Sequence, residues 1–447
     1  MSCRVLPSVK VDFVTKVASA TCRDIFEALN IIKFSTLVYL ERRRKTRTDI
    51  INQLVILKQT ILFILFSILS HVGYSQQIQL SPQAEISVIT CDPGAELYSS
   101  FGHSAFRVLD RTLGIDQVYN YGTFNFKAKN FYVKFARGKL LYDLSSYPFH
   151  YFLRDYVKEN RTVKEQVLNL EPTIKQGLFD FLENNAKPEN KAYLYDFFFD
   201  NCATKLPEVS SKVLGENIQM NYDFANGLNY TFRELIHLYL DDKSWGKFGI
   251  DLALGSVIDR KATPKEYLFL PDFVLKSYEK ATIRKNDISE PLVTKTNELF
   301  TSEANTNKPF YFTPFVLFSL LALLVLWITF KDFRNKIRTK WLDFMLFFTT
   351  GVVGLIVLLL WFATDHSATA NNYNIFWAFM PNILISFLLL KDNIKPWVSK
   401  YILVLLVLLF LTIVFWILKF QVFSIAIIPI LTLLAIRYSF LYGYHRQ

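Results

Sequence analysis

A cysteine behind an Asp-Asn pair is the side chain best placed for nucleophilic chemistry in this sequence. Cys202 lies in the stretch YDFFFDNCATKL and directly follows Asn201. Asparagine is a preferred N-cap, so a helix is expected to begin at the cysteine. A thiol in the first helical turn lies in the field of the helix dipole and near unpaired N–H groups, which lower its pKa. The pattern therefore predicts a thiolate nucleophile, with oxyanion-stabilising N–H groups in the adjacent backbone.

Pro207 complicates the expected helix, because a proline in a helix interior removes one backbone hydrogen bond. Two arrangements fit the residues. Either a continuous helix begins at Cys202, or a short turn at Cys202 precedes a helix with Pro207 at its first position. Both arrangements leave the thiol beside a helix start.

A thiolate nucleophile is usually paired with a histidine base. Residues 76–305 contain three histidines, His103, His150 and His237. His103, in FGHSAF, is the predicted base because the preceding glycine allows close backbone approach and the residue opens a strand. His150 and His237 lie in aromatic-rich helical segments, where packed or surface histidines are usual.

Cys91 offers an alternative role for the thiol of Cys202. Cys3 and Cys22 precede a predicted signal peptide, which leaves Cys91 and Cys202 in an oxidising compartment, where a disulfide is a reasonable pairing. The two settings differ, since Cys91 ends an apolar strand and Cys202 follows a helix cap. The difference favours the nucleophile, and the disulfide remains the structural alternative.

The segments around these residues predict an α+β domain over residues 76–305, with a small antiparallel sheet packed against helices. Four runs have the alternation or turn boundaries of strands, namely AEISVIT, FGHSAFRVL, DQVYNYGTFNF and RTVKEQVLNL. Three runs have apolar residues at helical spacing, namely NFYVKFARG, PFHYFLRDYVKEN and TIKQGLFDFLENN.

The remainder of the chain, residues 306–447, predicts a five-helix all-α transmembrane domain. A span needs roughly 20 apolar residues, with a lower limit of about 17. The blocks lie near 310–330, 341–362, 375–390, 401–418 and 422–438, and the last two are interpreted as a tight hairpin. The loops KDFRNKIRTK and KDNIKPWVSK are basic, whereas ATDHSATANNYN has no Lys or Arg, so the basic loops and the C-terminus are predicted to be cytoplasmic.

The N-terminal part of the chain predicts export of the α+β domain. Residues 57–75 have the lysine, apolar core and small residues of a secretory signal, with cleavage expected after Ser75. If it were retained, this segment would be an additional anchor. Residues 1–56 are basic and mixed, and we expect this extension not to be part of the working protein.

Two polar clusters accompany the predicted site. The outward loop places Asp365, His366, Thr369, Asn372 and Asn374 on the same side as the α+β domain. Contact with a headgroup or the domain, and a solvated loop with helix caps, both fit. Asp251, Asp259 and Glu266 are attributed to caps and turns. Their spacing is not that of metal ligands, so neither a metal nor another cofactor is expected.

The net charge of +11 does not indicate nucleic-acid binding, because basic membrane loops and the N-terminal ERRRKTR account for much of it and no nucleic-acid motif is present.

Three motifs in this order, SSFGHSAFRV, VYNYGTFNF and YDFFFDNCATKL, resemble the signature of the Lnb-type periplasmic domain. The five following spans resemble the transmembrane domain that accompanies it, so the resemblance covers nearly all of the chain from Ile86 onward. Histidine before cysteine is also the order in circularly permuted papain-like folds, including lecithin:retinol acyltransferase-like and NlpC/P60-like enzymes. The resemblance therefore implies a permuted papain-like periplasmic domain on a multi-pass protein of the bacterial inner membrane.

The resemblance implies a lipoprotein N-acyltransferase, which moves an acyl chain from a phospholipid to the α-amino group of a diacylated lipoprotein's N-terminal cysteine. It assigns Cys202 as nucleophile, His103 as base and, as the orienting residue, Asn120, with Tyr121 and Thr123 as alternatives on the other strand face. Substrate contacts are expected from Asn201, Tyr121, His366, Asn372 and Asn374.

Two rival functions remain at this stage. A cell-wall thiol amidase or peptidase of NlpC/P60 type would use the same nucleophile but would not need several membrane spans. A non-catalytic envelope sensor or assembly factor would instead pair Cys202 with Cys91.

Overall fold

A computed structural model of the protein describes residues 30, 33, 47–70, 78–125, 127–241, 244–303 and 312–444. The chain divides into two compact units, Met1–Ile78 and Gln79–Gln447. In the first unit, helix α1 (Arg47–Ser70) contains most of the predicted signal segment. The predicted cleavage site, Cys3 and Cys22 lie outside the described residues.

The second unit begins with a seven-stranded sheet in which every neighbouring pair is antiparallel. Its strand order is β10-β5-β1-β2-β3-β4-β6, and a smaller sheet has the order β7-β8-β9. In chain order the strands are β1 (Glu85–Cys91), β2 (His103–Asp110), β3 (Ile115–Thr123), β4 (Leu141–Pro148), β5 (Val163–Leu168), β6 (Ala192–Leu194), β7 (Ile218–Gln219), β8 (Thr282–Lys285), β9 (Ile288–Pro291) and β10 (Val293–Phe300).

Helices and short turns cover the main sheet on both faces, so the α+β prediction is confirmed. The helices of this part are α2 (Phe131–Ala136), α3 (Phe149–Lys158), α4 (Pro172–Asn185), α5 (Cys202–Leu214), α6 (Phe232–His237), α7 (Trp245–Ala253) and α8 (Pro271–Lys280). The four predicted strands and three predicted helices are all present. The sheet is larger than predicted, because β4, β6 and β10 extend it at its two edges.

The alternation of side chains along the central strands explains why both faces are buried. Val88 and Phe106 pack into the larger core with α5, whereas Ile89 and Ala105 pack into a second core with Phe152 of α3. A strand with both faces covered is apolar along most of its length, as in β1, where six of seven residues are buried.

The C-terminal part contains four helices that are long and apolar enough to cross a membrane, among the residues that the structure describes. They are α9 (Pro314–Asn335), α10 (Lys340–Phe362), α12 (Trp397–Ile417) and α13 (Ile427–Tyr444). The third predicted span, 375–390, is not one continuous helix. It consists of a 3₁₀ turn at Tyr373–Phe376 and the seven-residue helix α11 (Asn382–Leu388).

Proline and glycine explain the break in this third crossing. Pro381 cannot donate a backbone hydrogen bond to a helix running through it, so α11 begins after it. Its neighbour α10 has glycines facing the broken segment, and a Cβ added at Gly354 would overlap the Ala378 carbonyl oxygen. The close packing of α10 against this irregular backbone therefore requires glycine.

The broken segment still runs from one end of the helix bundle to the other. At one end, the Tyr373 backbone N–H donates to Gln421 Oε1 in the α12–α13 connection at 2.7 Å. At the other, Arg338 donates to the Leu389 carbonyl at 2.9 Å, beside the start of α10. Within the described residues 312–444, the chain thus runs along the bundle five times, as four long helices and one interrupted segment.

A buried ion-pair network lies in this bundle toward the end with the basic loops. Arg437 of α13 is fully buried and bonds Asp332 of α9 at 2.8 Å and Asp343 of α10 at 2.6 Å. Arg338 completes the network with a 3.1 Å contact to Asp343. Two arginines and two aspartates therefore neutralise one another where unpaired charges would be costly.

Candidate active site

Cys202 is the first residue of α5, and Asn201 is its N-cap. The Asn201 Oδ1 accepts from the backbone N–H groups of Ala203 and Thr204, each at 2.9 Å. In return the Asn201 backbone N–H donates to the Thr204 hydroxyl at 2.8 Å, which forms a capping box. The predicted helix start at the cysteine is confirmed.

Pro207 lies inside α5 and does not begin it. The helix runs without interruption from Cys202 to Leu214. Of the two arrangements expected from the sequence, the continuous helix is correct and the short turn before Pro207 is wrong. The capping box stabilises the first turn, so the helix tolerates the single backbone hydrogen bond that Pro207 cannot make.

His103 opens β2 beside the cysteine. Gly102, directly before it, has a φ of +79°, and a Cβ there would lie 2.8 Å from the Cys91 carbonyl oxygen. Only glycine combines this positive φ with so close an approach. The glycine therefore fixes the backbone position from which the His103 side chain projects at the start of β2, as the FGHSAF motif predicted.

Asn120, on the neighbouring strand β3, forms a hydrogen bond with the His103 imidazole. Its Oδ1 lies 2.6 Å from His103 Nε2, while its Nδ2 donates to the Tyr147 hydroxyl at 3.0 Å. The His103 ring also interacts with the Cys202 side chain, and each group shifts the pKa of the other. Because Asn120 engages Nε2, Nδ1 is the ring nitrogen left to exchange a proton with the thiol. The structure thus brings together Cys202, His103 and Asn120, the three residues predicted to act together.

The pair of Cys202 and His103 favours the charged forms of both groups. Burial alone would raise the pKa of the Cys202 thiol, but the His103 imidazolium and the backbone N–H groups of Ser104 and Ala203 lower it overall. Burial alone would lower the pKa of His103, but the Cys202 thiolate and the hydrogen bonds to Cys202 and Asn120 raise it overall. The site is therefore suited to hold a thiolate–imidazolium pair.

Cys91 has the opposite character. It is the cross-strand partner of His103 in the β1–β2 register and is fully buried. Burial raises its pKa well above the ordinary value, so it is a poor nucleophile. Cys91 and Cys202 are both free thiols in the part of the chain that the structure describes, so this structure does not contain the disulfide of the alternative interpretation.

The groups that pack around the imidazole were not predicted from the sequence. The Tyr156 ring of α3 stacks on the His103 ring, with centroids 6.2 Å apart and an interplanar angle of 17°. The Arg161 guanidinium lies 4.5 Å above the centre of the same tyrosine ring and donates to the Asp92 carbonyl at 2.8 Å. These contacts join segments distant in sequence, and the aromatic spacing of PFHYFLRDYVKEN indicated only that a helix has a packed face.

Two predicted substrate contacts are corrected, because their side chains are enclosed by the protein. Tyr121 is 1% exposed on the opposite sheet face from His103, and its hydroxyl accepts from Asn185 at 2.7 Å. Asn201 is 3% exposed, and its Nδ2 donates to the carbonyls of Phe197 and Phe269. Asn201 positions Cys202, and Tyr121 belongs to the core. Thr123, the other alternative orienting residue, donates to the Asp143 carbonyl.

The outward loop between α10 and the broken segment is hydrogen-bonded to the α+β domain. Of the two interpretations of this loop, contact with the domain is therefore the one that the structure supports. Asn372 and Asn374 are buried and donate to the backbone carbonyls of Leu252 and Asp251. Both asparagines therefore fasten the loop to the domain, and the prediction that they contact substrate is corrected. His366 remains half-buried, and its Nε2 lies 3.1 Å from the Phe135 carbonyl.

The carboxylate cluster has a structural explanation. Asp251 and Asp259 bind the buried guanidinium of Arg233 at 3.0 and 2.8 Å, so their attribution to caps and turns is corrected. Glu266 belongs to a capping box with Thr263, as expected. His237 contacts Asp251 at 2.8 Å, and His150 lies exposed on α3. Among the described residues, no group of three or more His, Cys, Asp or Glu is arranged to hold a metal ion.

The fold and the site define a membrane protein whose α+β domain, built around a Cys–His–Asn arrangement, is fastened to the outward end of a helix bundle. Two family models match the chain, the Lnb N-terminal periplasmic domain over residues 74–237 and the Lnb transmembrane domain over residues 305–447. The chain therefore belongs to the Lnb family and is a bacterial membrane protein with a periplasmic N-terminal domain. Comparisons with curated proteins and with solved structures gave no match.

The first match ends before the periplasmic fold does. Residues 238–303 contain α7, α8 and β10, and β10 pairs with β5 at the edge of the main sheet. The region between the two matched segments therefore belongs structurally to the periplasmic domain.

Proposed function

We propose that this protein is an inner-membrane lipoprotein N-acyltransferase that forms a thioester on Cys202. The observation that carries the proposal is the Cys202–His103–Asn120 arrangement in a domain bonded to the outward loop of a membrane bundle. The donor would be a phospholipid and the acceptor the α-amino group of a diacylated lipoprotein. Both substrates are anchored in the bilayer, which gives a reason for combining a thiol site with several membrane crossings.

In the first step, the Cys202 thiolate attacks the carbonyl carbon of the phospholipid acyl ester. The carbon–sulfur bond forms, the carbon–oxygen bond breaks, and the imidazolium of His103 gives its proton to the departing lysophospholipid oxygen. The backbone N–H groups of Ser104 and Ala203, which stabilise the thiolate, are the proposed donors to the oxyanion that develops on the acyl carbonyl. The products are a thioester on Cys202, a neutral His103 and a lysophospholipid.

In the second step, the lipoprotein α-amino group attacks the thioester. The carbon–nitrogen bond forms, the carbon–sulfur bond breaks, and the neutral His103 accepts the proton released by the amine. The thiolate–imidazolium pair is thereby regenerated. Throughout both steps Asn120 keeps Nε2 engaged, so the ring cannot rotate away from the sulfur without losing a 2.6 Å hydrogen bond.

The direct test is the acyl-enzyme itself. The purified full chain is incubated with phospholipid and no acceptor, and Cys202 is examined by intact-mass and peptide mass spectrometry. We expect one acyl group on Cys202, removable by neutral hydroxylamine and transferred to a diacylated lipopeptide when that is added. The matched control is Cys91→Ser, which changes the other periplasmic cysteine and should leave the adduct intact.

Lipoprotein N-termini provide the cellular readout. Cells with the protein should contain N-acylated lipoproteins, and cells with Cys202→Ser should contain the free amine. If N-acylation persists with that substitution, or no adduct forms on Cys202 under conditions that support transfer, the mechanism is wrong. A cell-wall amidase would instead release peptide fragments from peptidoglycan and would not label Cys202 with an acyl chain from phospholipid.

A further inference from the structure

The segment Lys127–Lys139, which contains α2, combines exposed apolar side chains with a one-sided charge. It has five basic residues and no Asp or Glu in 13 positions. Tyr132, Val133 and Phe135 are exposed by 80%, 59% and 52%. Large exposed apolar groups clustered in a short stretch usually mark an interaction surface.

The backbone of this segment is bonded to the residues that follow membrane helix α10. The Asp365 N–H donates to the Arg137 carbonyl at 2.9 Å, and His366 Nε2 lies 3.1 Å from the Phe135 carbonyl. Gly138, with a φ of +69°, packs so closely that an added Cβ would lie 3.2 Å from the His366 backbone nitrogen. A side chain at Gly138 would strain the backbone and crowd this contact.

The depth of the segment follows from the chain length. Helix α10 ends at Phe362, three residues before Asp365. Three residues extend at most about 11 Å. The headgroup layer adds roughly 5–8 Å on each side of a hydrocarbon core of about 30 Å. Asp365 and the backbone of Arg137 bonded to it are therefore expected at or close to the headgroup layer of the outward leaflet.

We propose that the segment Lys127–Lys139 docks on the outward leaflet of the bilayer that the protein spans. Tyr132, Val133 and Phe135 enter the boundary between headgroups and acyl chains, and the basic side chains contact anionic lipid phosphates. Lys139 also contacts Asp365 of the outward loop at 3.4 Å, so this end of the segment is held to the bundle. The occupant is a phospholipid surface because the segment is continuous with the membrane part and its charge complements anionic headgroups.

An aromatic row connects the docked segment with the thiol. Phe131 stacks on Phe124 at 5.8 Å, Phe124 contacts Tyr142 at 5.2 Å, and Tyr142 stacks on Tyr195 at 4.3 Å. A Cβ added at Gly122 would lie 3.7 Å from the Tyr195 ring and 3.6 Å from the Cys202 Cβ. A phospholipid held by the segment would thus have an apolar row between its acyl chains and Cys202. This delivery role rests on the proposed acyl transfer, whereas the docking does not.

The docking is tested by measuring depth in the membrane, without any use of activity. Tyr132→Cys, in a Cys202→Ser background of the full chain, is labelled with bimane and reconstituted in nanodiscs containing phosphatidylglycerol. We expect lipids brominated in the acyl chain to quench this label several-fold more than a label at Leu113→Cys, and aqueous iodide to quench it less. Leu113 is a matched control because it is 47% exposed in the β2–β3 turn, at the opposite end of β2 from His103. Equal quenching at the two positions would overturn the docking.

The lipid chemistry is tested with a charge reversal. Lys129→Glu with Lys134→Glu should reduce bromolipid quenching at position 132 in phosphatidylglycerol nanodiscs to the level seen in phosphatidylcholine alone. If the double variant is quenched as strongly as the parent in phosphatidylglycerol, the anionic headgroup contact is wrong.

The delivery role has a separate test. Phe135→Asp should slow formation of the Cys202 acyl adduct at least tenfold while leaving the alkylation rate of the thiol by iodoacetamide unchanged. Loss of both rates would mean that the substitution disturbs the site, and unchanged acylation would overturn delivery. If the parent protein forms no adduct, the proposed function fails, and the quenching result still decides the docking.

Discussion

Asn120→Ala removes the oxygen that accepts from His103 Nε2 and leaves the thiol and the imidazole in place. The bond it deletes is 2.6 Å long and joins a buried amide to a ring that carries positive charge in the thiolate–imidazolium pair. Hydrogen bonds to charged groups contribute roughly 1.5–3 kcal/mol. A loss of this size lowers the pKa of His103, and it corresponds to a rate lower by about 10- to 100-fold, since about 1.4 kcal/mol is a tenfold rate.

The lower pKa of His103 in turn affects the pKa of Cys202. A His103 that holds its proton less tightly is a weaker partner for the thiolate, so the pKa of Cys202 rises toward that of an ordinary thiol, about 8.5. In the parent protein, the rate of alkylation by iodoacetamide should fall as the pH drops through the pKa of Cys202, which is lower than that of an ordinary thiol. In Asn120→Ala this fall in the alkylation rate should occur at higher pH. The rate of acyl-adduct formation at pH 7 should drop by about 10- to 100-fold.

The measurement is the pH dependence of the alkylation rate, followed by mass spectrometry of the Cys202 peptide. Asn185→Ala is a matched control, because it removes an amide that donates to Tyr121 at 2.7 Å on the opposite sheet face. That variant should keep the parental pH profile even if it lowers the stability. If Asn120→Ala keeps the parental profile as well, Asn120 does not orient or charge His103, and this reasoning is refuted.

The remaining predictions concern the thiols, the backbone and the topology. Cys202→Ser should abolish acyl transfer and Cys91→Ser should largely spare it; equal loss in a transfer assay would indicate a structural role for both. Gly102→Ala should slow Cys202 alkylation at neutral pH and lower the midpoint of thermal unfolding, because its φ of +79° and the 2.8 Å approach to a carbonyl disfavour a side chain. Asn201→Ala should cost about 1 kcal/mol in denaturant unfolding, as expected for loss of an N-cap, and an unchanged midpoint would contradict the capping role. A periplasm-dependent reporter fused after the C-terminus should be inactive, and its activity would refute the orientation.

The central elements of the site could be predicted because local chemistry determines them. An asparagine directly before Cys202 specifies a helix start, and a glycine before His103 specifies a close backbone approach. The choice of Asn120 came from the family resemblance, and the alternation of side chains along a strand distinguished it from Tyr121 and Thr123 on the other face. The first two signals lie directly beside the groups that they position, whereas Asn120 is 17 residues from His103 in the sequence.

The features that were missed depend on contacts between distant segments. Nothing in the sequence near Asp251 indicates that a buried Arg233 will bind it, since the pair is formed only when α6 and α7 pack together. For Asn372 and Asn374 the sequence left contact with the domain and a solvated loop both open, because the domain carbonyls that they bond belong to a distant segment. Pro381 was a local signal for the interruption in the third predicted span. The hydropathy of residues 375–390 nevertheless matched that of a membrane helix. Hydropathy does not distinguish a continuous helix from a broken segment enclosed by neighbouring helices.

The Arg437 network imposes an order on the biogenesis of the protein. The carboxylates of Asp332 and Asp343 belong to α9 and α10, which leave the ribosome about 100 residues before Arg437. During that interval the nascent bundle contains two acidic groups whose main cationic partner has not been synthesised, and burial of such groups in the bilayer is costly. The arrival of α13 is therefore the event that completes the bundle. A chain truncated before α13 would leave Asp332 and Asp343 without Arg437, which links the completeness of synthesis to the stability of the bundle.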